Sequence, residues 1–176
     1  MTMARIAGVF YLLVFVAGTT ALLVGGRAGM VSGLIAAACY VVVTLLFYGI
    51  FKPVNGSLSL LAACISLVGI VIGPLSRSLP GVPRTNPLVF FGFFCLLIGY
   101  LIFRSTFLPR MLGALMVFAG LGWLTFLSPA LANYLYPYNL APGILGEGVL
   151  TLWLLVMGVD ARRWDEQAGV RVPEHP

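Results

Sequence analysis

The sequence predicts an all-α integral membrane protein: a six-transmembrane-helix bundle with both chain ends on the cytoplasmic side. Three observations predict it. Apolar residues make up 61% of the 176-residue chain and charged ones only 9%, with a mean hydropathy of +1.07. Soluble domains carry roughly 25% charged residues, so this composition does not supply a water-exposed surface. The apolar residues fall into six runs, each close to the ~20 residues that cross a hydrocarbon core. Finally, the basic residues are divided unevenly between the two sets of connecting loops.

The expected spans are residues 6–24, 31–51, 57–75, 87–103, 110–129 and 143–160. They form one membrane domain over 1–168, followed by a flexible tail at 169–176. The first run, from Ile6 to about Val24, exceeds the roughly 7–15 apolar residues of a signal peptide. It is expected to be a retained transmembrane helix. Gly25 and Gly26, with Gly29 close behind, make a tight first connection, because consecutive glycines oppose helix continuation. Lys52-Pro53 closes the second span, and Ser57 is the expected N-cap of the third. Pro80, Pro83 and Pro87 keep the next loop open, and Pro109 suits the first turn of the fifth helix. The segment Pro129–Pro142 is uncharged and rich in tyrosine. Beyond Asp160 a polar segment is expected to carry the last helix to the membrane surface, ending at Gly169. His175 falls in the tail and is expected to bind nothing.

With the N-terminus inside, cytoplasmic segments hold Arg5, Lys52, Arg104, Arg110, Arg162, Arg163 and Arg171. The other side holds Arg27, Arg77 and Arg84. The bias favours N-in/C-in. Because these basic residues are scattered singly, the net charge of +5 points to lipid head groups and not to nucleic acid. Cys39, Cys64 and Cys95 each lie in a different span without CxxC spacing or a nearby histidine, so they read as packing residues.

Away from their ends the six spans contain one charged residue, Glu147, and no histidine. Intramembrane ionisable groups usually mark transport, proton transfer or ligation. Glu147 sits about one turn into the last span, where the helix dipole stabilises an acid. There it is expected near the outer face, paired with Arg27, Arg77 or Arg84. A proton- or cation-coupled role would rest on this one side chain. Tyr134, Tyr136 and Tyr138 read as an aromatic belt at head-group depth, with Trp164 as a further anchor. Gly69, Gly73, Gly113 and Gly120 read as close-packing positions between helices. No paired carboxylates, HExxH, Ser/His/Asp set or phosphate-cradling loop is present in the sequence. No catalytic residue, metal ligand or obligatory cofactor is therefore expected.

Several segments resemble an uncharacterised bacterial membrane-protein family catalogued as domain of unknown function 4386. They are Arg5–Leu13, Phe51-Lys52-Pro53-Val54-Asn55-Gly56-Ser57-Leu58, Leu97–Ser105, Phe107-Leu108-Pro109-Arg110-Met111-Leu112-Gly113, and Gly146-Glu147 with Leu152–Leu155. The resemblance implies six helices in a bacterial inner membrane and supplies no activity. It also marks departures. Similar proteins have a longer first connection, an arginine and an acid in the third helix where this chain has Ser66 and Gly69, and a histidine in the fourth where it has Phe94.

The leading expectation is a non-catalytic accessory or structural subunit, packing against other membrane subunits or a second copy. Photosynthetic and respiratory complexes are the kind of assembly that uses such chains. The alternative is a small carrier for an apolar ligand such as a quinone, carotenoid or lipid, held in a cleft near Glu147 and the tyrosine segment.

Overall fold

The computed structural model describes residues 2–78 and 86–169, the side chains of 76–78 excepted. Among them are eight α-helices and no strand: α1 (Thr2–Val24), α2 (Gly26–Phe51), α3 (Gly56–Ser78), α4 (Leu88–Arg104), α5 (Arg110–Leu124), α6 (Pro129–Leu135), α7 (Ala141–Val156) and α8 (Ala161–Gln167). Five helical stretches are long and apolar enough to cross a membrane. Those of α5 and α7 reach that length with the adjoining 3-10 turns Thr125–Leu127 and Tyr138–Leu140. α4 is apolar but has 17 residues, about 25 Å of helix.

The six long helices form a closed ring in which each packs on two neighbours, in the order α1, α2, α3, α4, α5, α7 and back to α1. The start of α1, the end of α2 and α8 meet at one end. Met3 approaches Gly49, Arg5 lies against Gly158, and the Trp164 indole bonds the carbonyl of Ile50.

Local chemistry sets the breaks. The α1–α2 connection is Gly25 alone, with Gly25 and Gly26 at φ of +63° and +55°, a region most other residues avoid. Asn55, rather than Ser57, caps α3 by accepting from the Leu58 amide at 3.0 Å. Pro109 stands in extended conformation just before α5 instead of within its first turn. The segment expected as a plain loop between the last two spans holds α6, capped by Ser128. The last span does not run on into the tail. It stops at Val156, turns at Gly158 with φ +70°, and restarts as α8 under an Asp160 cap. The positive φ at Gly169 ends α8, as its sequence suggests. The tail from residue 170, with His175, lies outside the described residues.

Trp164, expected as an interface anchor, also makes an internal contact. Its ring is half-buried against the core and its Nε1 donates to the Ile50 carbonyl at 2.9 Å. That carbonyl lies in the last turn of α2, where helices leave acceptors unpaired. The residue therefore ties α8 to α2. Trp164→Phe is expected to cost about 1 kcal/mol, the net worth of a neutral hydrogen bond, read as a lower thermal midpoint in detergent.

In lipid the hydrophobic effect does not hold helices together, so close van der Waals packing must. Glycines at a seven-residue spacing on α4 and α5 face each other as two reciprocal pairs. A Cβ on Gly99 would lie 2.9 Å from the Gly113 carbonyl oxygen, and one on Gly120 would lie 2.8 Å from that of Gly92. Gly69 and Gly73 face Phe90 and Pro87 in the same way across α3 and α4. The expected packing role thus fits the surroundings of all four glycines read from the sequence.

Side-chain size divides the interior. Toward the end that holds α8 it is filled by Phe47, Phe51, Phe94, Phe107, Ile98, Leu101 and Leu154, all buried. Toward the other end Gly18, Gly33, Ala36, Ala37, Gly69 and Gly73 stand among the larger apolar side chains of the wall, and a cavity of about 530 Å³ remains.

Candidate functional site

Glu147 is the seventh residue of α7 and is buried, 7% exposed. Its partners are mid-helix residues: Tyr11, at the tenth position of α1, and Cys95, at the eighth of the 17 in α4.

Three donors converge on the carboxylate. The Tyr11 hydroxyl donates to Oε2 at 2.6 Å, the Trp123 indole to Oε1 at 2.5 Å, and the Cys95 thiol to Oε1 at 3.6 Å. A carboxylate only accepts, so this surround of donors matches it. Close helix approach places two of the donors. Gly8 lets α1 approach the α7 backbone near Leu155, and that approach brings Tyr11 over Glu147. Gly143 lies against the Trp123 ring, where a Cβ would overlap it. Gly146 presses α7 onto the Leu115 carbonyl of α5.

Tyr40 completes the polar end. It is 7% exposed, meets the Tyr11 ring edge-on at 5.7 Å and the Phe91 ring at 4.8 Å, and its hydroxyl oxygen is buried without a hydrogen-bond partner. Buried polar groups in native proteins are nearly always paired. Tyr11, Tyr40, Trp123 and Glu147 all line the cavity. The rest of its described wall is almost wholly apolar.

The cation pairing expected for Glu147 is not formed with Arg27, which stands exposed in the first turn of α2. The side chains of Arg77 and Arg84 lie outside the described residues. The two ion pairs among the described residues, Arg162–Glu166 and Arg163–Asp160, are both exposed in and beside α8. Tyr134, Tyr136 and Tyr138 are exposed around α6, away from Glu147. No group of three His, Cys, Asp or Glu side chains suited to a metal occurs among the described residues.

Sequence reading missed Tyr11, Tyr40, Trp123 and Cys95 as site residues. For Tyr11 and Tyr40 a signal exists: both are mid-span, whereas membrane tyrosines favour the interface and a buried hydroxyl needs a partner. The thiol of Cys95 does more than pack, since it faces Glu147. The departures from the family pattern also fall inside the bundle. Ser66 bonds Thr44 at 2.7 Å, Gly69 lines the cavity, and Phe94 stacks on Phe47 at 6.2 Å.

Neither a curated protein nor a solved structure matches this chain. Residues 85–158, which span α4 to the end of α7 and contribute Cys95, Trp123 and Glu147 to the site, match the family described as "Domain of unknown function (DUF4386)", the same family that the sequence motifs resemble.

Proposed function

We propose that this protein is a non-catalytic membrane protein that binds a mostly apolar, membrane-resident small molecule with one polar end. The observation that carries the reading is the cavity of about 530 Å³, apolar along its walls and polar where Glu147, Tyr11, Tyr40 and Trp123 meet. Ligand sites are typically 300–1,000 Å³, apolar, with a few convergent polar groups. An accessory subunit, the role the sequence puts first, needs an exterior that fits its partners. It does not need an apolar cavity ending on a buried acid, and for that reason we favour the carrier.

The orientation belongs to the same proposal. The end of the bundle with the start of α1 and α8 carries Arg5, Lys52, Arg104, Arg110, Arg162 and Arg163, and the opposite end carries Arg27 and Arg77 among the described residues. With the basic end in the cytoplasm, the cavity lies in the outer half of the bundle. A bacterial inner membrane is the setting that suits both the composition and the family.

Gly18 provides the test. It lines the cavity, and a Cβ there would meet nothing within 4 Å. Gly18→Phe is expected to fill the cavity without unfolding the bundle. Native mass measurement of gently purified wild-type protein should then find a bound small molecule that the variant has lost. Stoichiometric partner chains with no bound molecule would overturn the carrier reading in favour of the subunit.

A further inference from the structure

The carboxylate of Glu147 is surrounded by donors, yet among the described residues no cation faces it. Hydrogen bonds alone do not offset the loss of water around a buried charge; such a group is either neutralised by a proton or paired with a counter-charge. Intramembrane acids are functional sites by default. The walls beside this acid are aromatic. Phe15, Tyr11, Tyr40 and Phe91 form one chain of ring contacts at 5.8, 5.7 and 4.8 Å, and all four line the cavity. Aromatic faces attract organic cations electrostatically, and more strongly where water is excluded.

On these grounds, and resting on the carrier reading above, we infer that the ligand is a lipophilic ammonium ion. Its cationic nitrogen lies against Glu147 Oε2 and the aromatic rings, and its apolar body lies along the rest of the apolar wall. Oε2 is the right oxygen because it receives only the Tyr11 hydroxyl, whereas Oε1 receives both Trp123 and Cys95. An acidic lipid head group is disfavoured by repulsion from the same carboxylate. A bare metal ion lacks ligands, because Glu147 stands without two further His, Cys, Asp or Glu side chains beside it among the described residues.

The test uses the full chain in lipid nanodiscs and two probes of nearly one shape, dibenzylammonium and the neutral dibenzyl ether, titrated by calorimetry. Wild-type protein is expected to bind the ammonium about tenfold or more tightly than the ether, the scale of a desolvated cation–aromatic contact plus an ion pair. Glu147→Gln should remove that preference. Phe15→Leu removes one ring of the aromatic wall and keeps an apolar side chain. It should weaken ammonium binding several-fold, and more than ether binding, so the inference stays testable if Glu147→Gln folds poorly. Ammonium binding no tighter than ether binding, including no binding of either, overturns the cationic ligand. If both probes bind equally and Gly18→Phe abolishes both, the carrier reading survives without it. If Gly18→Phe leaves both affinities unchanged, the probes bind outside the cavity and both readings fall.

Discussion

Gly146→Ala is expected to destabilise the bundle by about 3 kcal/mol, at the upper end for overpacking a close interface. An added Cβ would stand 2.4 Å from the Leu115 carbonyl oxygen and 2.8 Å from the Ala119 Cβ. The nearest obstacle is helix backbone, which has no rotamer to change, so α5 and α7 must separate. Separation would also pull Glu147, the next residue, away from Trp123. Gly148, two residues on, is the matched control. A Cβ there meets nothing within 4 Å, and Gly148→Ala is expected to be neutral or to stabilise by up to about 1 kcal/mol through better helix propensity. Thermal unfolding of both variants in the same detergent decides the matter. Equal midpoints would mean that α5 and α7 are not packed through Gly146.

Tyr11→Phe is expected to cost about 2 kcal/mol, within the range for hydrogen bonds to charged groups. The ring contacts to Phe15, Tyr40 and Phe47 are kept, so the change isolates the hydroxyl. In a Glu147→Leu background the same substitution should cost almost nothing, because the acceptor is gone. The difference, a coupling of about 1.5–3 kcal/mol, does not depend on whether Glu147 itself stabilises or destabilises the fold. That independence matters, since burying an acid is costly while its removal leaves the Trp123 donor unpaired. Additive effects in the double variant would show that Tyr11 and Glu147 do not interact.

Much of this protein was legible in its sequence because membrane insertion imposes one-dimensional rules. The backbone must be satisfied within helices, so runs of apolar residues broken by Gly25-Gly26, Lys52-Pro53 and Phe107-Leu108-Pro109 locate the long helices with little help from tertiary contacts. Gly69, Gly73, Gly113 and Gly120 were recognisable as packing positions, since four- and seven-residue spacing places them on one helix face. The sequence was less informative where a segment's fate depends on what covers it. Residues 129–142 carry no charge and no long apolar run, and α6 forms there with a Ser128 cap and contacts to the neighbouring 3-10 turns. The break at Gly158 likewise lets Trp164 fold back onto Ile50.

What the sequence determined alone is the chain's solvent and the identity of its one deeply placed acid. Hydropathy is a sum over local residues, and a carboxylate in an apolar run is conspicuous without any structure. Only the tertiary structure decided what Glu147 meets. Tyr11, Cys95 and Trp123 are separated from it by 136, 52 and 24 residues, and no local rule links positions so far apart. Closure of the ring through α1 and α7 brings them together. The same closure sets large side chains inward at one end and glycines and alanines at the other, which makes the cavity.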